Sequence, residues 1–268
     1  MDTYWLALFL ILGVGIGFFA GLLGIGGGGL MVPALLALFS AMGFPDTHLM
    51  HLALGTSMAA IVPTAYASLR GHHKRAAVLW PVVRQFSPGV LVGTLAGTFL
   101  AAYLNALPLA IFFLCFMTFV ALQMLFAVKP KAARPLPQPL VLAGVGAAIG
   151  GVSALVAIGG GTLTVPFLLW CNRPMAKAIG TSAAVGLPIA FAGAVGYALN
   201  GWQLEGLPAH CVGFIYWPAV VAIAAGSLIS VPWGVACAHR LPVKLLQRCF
   251  AFLLLVLAAQ MLVKVVSI

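Results

Sequence analysis

Two glycine-rich stretches are the residues of this sequence best suited to binding a solute. The first reads GLLGIGGGGLMVP over residues 21–33, and the second reads IGGGTLTVP over residues 158–166. Glycine is a poor helix former, so consecutive glycines interrupt a helix. The helix that restarts after each break presents an N-terminus with free N–H groups and positive partial charge, which favours an anion. The predicted substrate-binding glycines are Gly26, Gly27, Gly28, Gly29, Gly159, Gly160 and Gly161.

Hydroxyl and amide side chains could add further hydrogen-bond donors to such a site. A Gly-Thr-Ser motif occurs at residues 55–57 and again at 180–182, and Gln-Met-Leu occurs at 123–125 and again at 260–262. The alternatives are that the Gly-Thr-Ser motifs cap or pack helices and that the glutamines bond neighbouring helices. The predicted additional substrate contacts are Thr56, Ser57, Thr162, Thr181, Ser182, Gln123 and Gln260.

One cation and one histidine are candidates for accessory roles. Arg84 is the only cation well inside an apolar run, where it either snorkels to the interface or steers anions at an inner vestibule. His51 lies beside the first Gly-Thr-Ser motif and is the candidate for proton coupling, although a solvated or interfacial role is the alternative.

The amino-acid composition indicates that these motifs lie in an integral membrane protein. Of the 268 residues, 63% are hydrophobic and only 6% are charged, against about 25% charged in soluble domains. Three acidic residues are present, Asp2, Asp46 and Glu205, all at the terminus or in predicted outer loops. No carboxylate therefore remains inside the membrane to hold a cation, and an anionic substrate is expected.

Ten apolar runs follow one another along the chain, and we interpret all of them as helices, because backbone in lipid must satisfy its own hydrogen bonds. The fold class predicted is an all-α polytopic membrane protein with no separate soluble domain. The first run is expected to belong to the fold and not to a removable signal peptide. The runs cover residues 4–23, 30–44, 51–69, 78–104, 107–127, 140–158, 162–172, 178–199, 212–237 and 243–266.

Loop charge predicts which side of the membrane each loop faces. The basic loops near residues 70–75, 129–134, 173–177 and 240–248 are expected in the cytoplasm, and the loops near 45–50, 105–106 and 200–211 carry no Lys or Arg and should face outward. The net charge of +10 is thereby explained by membrane orientation, without a nucleic-acid partner. Both termini are predicted outside the cell.

The stretch between the basic loops at 129–139 and 172–177 must start and finish on the same side. Its second arm, residues 162–172, would span only about 16 Å at 1.5 Å per residue, about half of a ~30 Å hydrocarbon core. The sequence therefore predicts a re-entrant helical hairpin with the glycine tip near the middle of the membrane.

Motifs of the first half recur in the second half in the same order, at offsets of about 125 to 137 residues by subtraction of the sequence positions. This repetition predicts a duplication. Because corresponding loops carry opposite charge, the repeat is predicted to be inverted, with each half a broken-helix hairpin plus three transmembrane helices. The boundaries predicted are repeat 1 at 1–128, a cytoplasmic linker at 129–139 and repeat 2 at 140–268, within one transporter domain.

Other functions are disfavoured by the residues. Gly24, Gly26 and Gly29 satisfy the G-x-G-x-x-G spacing, but a 20-residue apolar run precedes them where a nucleotide-binding fold needs a short strand. No His, Cys and carboxylate groups cluster inside the membrane for acid–base or metal chemistry. The sequence thus predicts no enzyme, no cofactor and no metal; an anion channel and a non-transporting scaffold stay open, as does the oligomeric state, a homodimer included.

The two glycine stretches with their Val-Pro endings, the paired Gly-Thr-Ser motifs and the duplicated architecture resemble the sulfite exporter TauE/SafE family of bacterial permeases. The resemblance covers essentially the whole chain. It implies transport of sulfite, thiosulfate or organosulfonates across the bacterial inner membrane, commonly outward, by a multi-pass protein embedded in the lipid bilayer. Substrates vary within that family, so a different small anion such as a carboxylate is the alternative.

Overall fold

The computed structural model of the chain describes residues 3–23, 27–126, 135–238, 251–252 and 254–262. Within these ranges the protein is all-α apart from one small hairpin. Residues 254–262 form a further helical stretch, which we call the closing helix. The elements are α1 (Thr3–Leu23), α2 (Gly28–Ala41), α3 (Asp46–Lys74), α4 (Trp80–Tyr103), α5 (Ala106–Leu125), α6 (Pro139–Val156), α7 (Gly161–Trp170), α8 (Met175–Asn200), β1 (Cys211–Val212), β2 (Ile215–Tyr216) and α9 (Trp217–Ala238).

Seven of the described helices are long and apolar enough to cross a membrane, which makes the chain a multi-pass membrane protein. The two that follow the glycine stretches are shorter: α2 has 14 residues and α7 has 10, or about 21 and 15 Å at 1.5 Å per residue. The sequence correctly predicted that the second arm of the later hairpin, residues 162–172, is short. The first arms are longer than expected for a hairpin that turns halfway, because α1 and α6 are themselves candidate spans.

The predicted helix at 212–237 begins later than expected. Residues 211–216 form an antiparallel hairpin instead, in which Cys211 pairs with Tyr216 and Val212 with Ile215. Gly213 adopts a φ of 56° in the turn, a backbone conformation that glycine tolerates best. Burial raises the pKa of the Cys211 thiol to about 12, so this thiol stays protonated at neutral pH.

Small residues allow α1 to pack closely on α9 and α4 to pack closely on α6. Gly13 of α1 faces Ile223, Gly17 faces Ser227, and Gly21 faces Val231. Residue numbers increase in the same direction along both helices, so α1 and α9 run parallel. In α4, a Cβ at Gly97 would lie 2.6 Å from the carbonyl oxygen of Gly151, and Gly89 and Gly93 meet the carbonyl oxygens of Ala143 and Ala147. Gly89, Gly93 and Gly97 are four residues apart, a spacing that predicts close helix packing in membranes, and the structure confirms that contact.

The centre of the protein is formed by α3 and α8, the two most buried of the candidate spans. They pack on each other, α4 packs on α8, and α9 packs on α3. The main helix contacts come in matching pairs: α1 with α9 corresponds to α6 with α4, and α2 with α3 corresponds to α7 with α8.

The loops collect at two ends of the bundle with different charge. At one end Lys177 donates a hydrogen bond to the Ala76 carbonyl oxygen. At the other, the Phe44 ring packs against Tyr216 with centroids 5.2 Å apart, and His51 stacks on Phe214. The described acidic residues, Asp46 and Glu205, belong to this second end. The described basic residues lie toward the first end: Arg70, Lys74, Arg75, Arg84, Arg173 and Lys177.

Gly17→Leu should destabilise the protein, and Gly15→Leu should not. A Cβ at Gly17 would lie 2.5 Å from the Ser227 Cα, whereas a Cβ at Gly15 meets nothing within 4 Å. Overpacking of this kind costs about 1–3 kcal/mol. The melting temperature of each purified variant in detergent measures the effect; equal melting temperatures would show that the α1–α9 contact is not tight.

Candidate functional site

Both glycine breaks end in the same backbone geometry. Gly27 is the N-cap of α2 with φ 75° and ψ −3°, and Gly160 is the N-cap of α7 with φ 75° and ψ −14°. A residue with a side chain is strained in this left-handed region by about 1–2 kcal/mol. Space is also lacking, since a Cβ at Gly27 would overlap the Ile16 side chain and one at Gly160 the Ile189 side chain. Glycine is therefore required at both positions.

The two breaks lie side by side in the interior. Gly28, at the start of α2, packs directly on the carbonyl oxygen of Ala157, which ends α6. A Cβ at Gly186 in the middle of α8 would lie 2.5 Å from the carbonyl oxygen of Gly159. All of the described glycines of both stretches that were predicted to bind substrate are buried; Gly26 lies outside the described residues.

A small cavity separates the breaks, and we call it the tip cavity. Its volume is about 10 Å³, which is at the lower limit for a single water molecule. A sulfur oxoanion needs more room, so the described conformation is closed around the breaks. Met117 is the side chain best able to make that room, because methionine is flexible and its Cε lies 2.8 Å from where a Cβ of Gly29 would be. The lining residues are Gly27, Gly29, Met117, Val120, Ile158, Thr162 and Leu254.

Hydrogen-bond donors lie at the starts of α2 and α7, two of them on residues that line the tip cavity, Gly29 and Thr162. The Leu30 and Met31 N–H groups donate to the Gly27 carbonyl, and the Leu163 and Thr164 N–H groups to the Gly160 carbonyl. Within the described residues, the first two N–H groups of each helix, at 28–29 and 161–162, have no backbone acceptor, and neither helix has a side-chain cap.

The Thr162 hydroxyl adds one more donor to the tip cavity. Its oxygen is buried and has no hydrogen-bond partner in the described part of the chain. An unpartnered buried polar group costs about 1–3 kcal/mol. Such a cost is offset when a ligand supplies the missing partner, which favours an anion over an apolar solute at this position.

The Gly-Thr-Ser threonines hold loops in place. The Thr56 hydroxyl accepts a hydrogen bond from the Tyr216 N–H at 3.0 Å, and the Thr181 hydroxyl accepts one from the Leu79 N–H at 2.9 Å. Each threonine thereby fixes the residues that precede a long helix of the other half, α9 or α4. Neither lines the tip cavity. Ser57 is buried with an unpartnered hydroxyl, whereas Ser182 is buried and has a partner.

The remaining predicted site residues do not line the tip cavity. Gln123 is half-buried near the end of α5, and Gln260 is exposed on the closing helix. Arg84 is exposed near the start of α4. His51 is buried in α3, where its Nε2 lies 3.0 Å from the Ala101 carbonyl oxygen and its Nδ1 has no partner among the described residues.

Sequence reasoning missed the apolar side of the site. Met117 and Val120 of α5 and Leu254 of the closing helix line the tip cavity, although only polar donors were sought there. The signal was present: Met117 and Leu254 differ by 137 positions (254 − 117), the same offset that relates the two glutamines. Within the described ranges, no three His, Cys, Asp or Glu residues are placed to hold a metal ion.

Comparison with known proteins shows which protein family the chain matches. The model of the family described as sulfite exporter TauE/SafE matches residues 9–261. A probable membrane transporter protein of Haemophilus influenzae is 35% identical over 97% of this chain and 99% of its own length. Another, from Methanocaldococcus jannaschii, is 26% identical over 91% of this chain and 87% of its own length. No solved structure matches this chain.

Gly160→Ala should destabilise the protein more than Gly43→Ala. Both glycines have a φ near 75°, but only Gly160 has a neighbour, Ile189, where the new Cβ would lie. The Gly43 variant therefore reports backbone strain of about 1–2 kcal/mol alone, and the Gly160 variant reports strain plus overlap at the break. Melting temperatures in detergent compare the two. Equal losses would mean that the break has room for a side chain.

Proposed function

Since this chain belongs to the sulfite exporter TauE/SafE family and is a membrane transporter, we propose that it is a secondary transporter that exports small sulfur-containing oxoanions. Sulfite, thiosulfate and organosulfonates are the substrate class, and the bacterial inner membrane is the location. The proposed site is the tip cavity, with the anion held by the N-termini of α2 and α7 and by the Thr162 hydroxyl.

One observation carries this proposal: α2 and α7 both begin beside one cavity with N–H groups that have no backbone acceptor among the described residues, and no described acidic side chain lines it. Helix N-termini carry positive partial charge, which is strongest where water does not screen it. An anion would gain several charge-assisted hydrogen bonds there, whereas a cation would meet only unfavourable dipoles. Broken helices that meet inside the membrane are the usual substrate sites of inverted-repeat transporters.

Alternating access by the two halves is the proposed mechanism. It assumes the inverted repeats 1–128 and 140–268, joined by the cytoplasmic linker 129–139. The paired helix contacts support this assumption, because exchanging the halves reproduces them. Each half also holds one short helix that starts at the tip cavity, so a rocking motion about that point could expose the anion to either side.

An anion channel is the nearest alternative, and the substrate could also be another small anion such as a carboxylate. The size of the tip cavity favours a carrier. A channel needs a continuous path during conduction, whereas a carrier passes through a closed state like this one.

Purified protein in liposomes should accumulate radiolabelled thiosulfate or sulfite, and unlabelled sulfite should compete. Protein-free liposomes are the control. An absence of flux and of binding for every sulfur oxoanion tested, together with clear flux of another solute class, would refute the proposed substrate. Single-channel currents would instead identify a channel.

Thr162→Val should weaken anion binding without destabilising the fold, because it removes an unpartnered hydroxyl at nearly constant volume. A hydrogen bond to a charged group contributes about 1.5–3 kcal/mol, or roughly a tenfold to hundredfold change in Kd. Thr118→Val is the matched control, since that hydroxyl donates to the Leu114 carbonyl oxygen of its own helix. Calorimetric titration with sulfite measures both; an equal affinity change in the two variants would remove Thr162 from the site.

A further inference from the structure

A second, larger cavity opens at the end of the bundle that carries Asp46. Its volume is about 350 Å³. Three of its residues, Asp46, Thr47 and Asn105, are polar and exposed at the starts of α3 and α5, so the cavity is connected to the surface. The deeper wall is apolar and includes Leu36, Ala110 and Met261.

The large cavity lies on the same helix faces as the tip cavity. On α2, Leu36 follows Gly29 by seven residues, and on α5, Ala110 precedes Met117 by seven. On the closing helix, Met261 follows Leu254 by seven as well. Seven residues are about two helical turns, which return to the same face about 10.5 Å along the axis. Three independent helices therefore place the large cavity directly outward of the tip cavity.

On each of these helices, one turn of buried apolar residues lies between the two lining positions, and we call these residues the apolar layer. Val32 lies between the two lining positions of α2, Phe113 between those of α5, and Ala258 between those of the closing helix. All three are buried, with Val32 at 0% and Phe113 at 1% exposure. Phe113 is the largest of these three side chains.

We propose that the large cavity is the outer vestibule of the transport pathway and that Phe113 is its gate. This inference rests on the proposed function, in that a small oxoanion leaves the tip cavity through the vestibule when Phe113 moves aside. The vestibule is an exit and not a second binding site. Its walls are apolar and the negative charge of Asp46 at its mouth disfavours an anion resting there, whereas the donors that hold the anion all lie at the breaks.

Thiol labelling tests the vestibule independently of any substrate. In a variant whose native cysteines are replaced, Ala110→Cys should react with an impermeant methanethiosulfonate reagent added outside intact cells. Phe112→Cys is the matched control, because Phe112 is 38% exposed, lies about 200° around the same helix from Ala110, and should face lipid. We expect the Ala110 variant to react about tenfold faster or more, because only water-exposed thiols form the reactive thiolate.

A cysteine at a second vestibule position keeps the test decisive if the Ala110→Cys variant does not fold. Leu36→Cys tests the α2 wall in the same assay. If both vestibule variants react as slowly as the Phe112→Cys control, the cavity is filled by lipid and the vestibule is refuted, even where sulfite flux has been measured. If they react rapidly while no sulfur oxoanion is transported, the proposed substrate fails and the pathway stands.

The gate has its own test. Met117→Cys should be protected from the same reagent, and adding Phe113→Ala should raise its rate about tenfold, because loss of the ring leaves a cavity in the apolar layer. Phe112→Ala, on the exposed face of α5, is the matched control and should leave the rate unchanged. Equal rates with and without Phe113 would refute the gate.

Asp46→Asn tests the exit role. In the Ala110→Cys variant a cationic reagent should react faster than an anionic reagent of similar size, and Asp46→Asn should abolish that preference. An anionic reagent that already reacts as fast as the cationic one would contradict the repulsion assigned to Asp46.

Discussion

The constraint on which the rest of the structure depends is the cost of unsatisfied backbone inside a membrane. In lipid, each N–H group without a partner costs several kcal/mol, so helix breaks are tolerated only where protein or a cavity surrounds them. The chain meets this condition by placing both breaks against each other: Gly28 packs on the Ala157 carbonyl, and Gly27 and Thr162 share the tip cavity. Glycine makes the contact possible because no side chain stands between the two backbones.

The surrounding helices form a frame for these breaks. α1 and α6 are each held along their length by a long helix of the other half, through rows of small residues. Thr56 and Thr181 fix the chain segments that enter α9 and α4. As a result, the elements next to the breaks are held by packing and hydrogen bonds, while apolar side chains of α5 and the closing helix form the opposite wall of the tip cavity.

Much of the fold could be predicted from the sequence, because hydrocarbon imposes simple rules on length and polarity. The run at 162–172 and the observed α7 (Gly161–Trp170) agree closely, and the spacing of Gly89, Gly93 and Gly97 indicated a helix contact that the structure confirms. The hairpin at 211–216 was missed because its residues are as apolar as the helix that follows. The roles of Thr56 and Thr181 could not be predicted either, since a hydroxyl reveals its partner only when distant loops are brought together. Met117 was overlooked for a related reason: an apolar wall leaves no polar pattern.

The parallel pairing of α1 with α9 also bears on how the protein is made. Leu23 ends α1, and Trp217 starts α9, 194 residues later by subtraction. A ribosome therefore delivers the first helix to the bilayer long before its partner exists, and the small-residue row of α1 must meanwhile face lipid or an insertion factor. Assembly is completed only when the second half arrives, so a chain truncated before α9 would leave that row uncovered, a surface that membrane quality-control proteases could recognise.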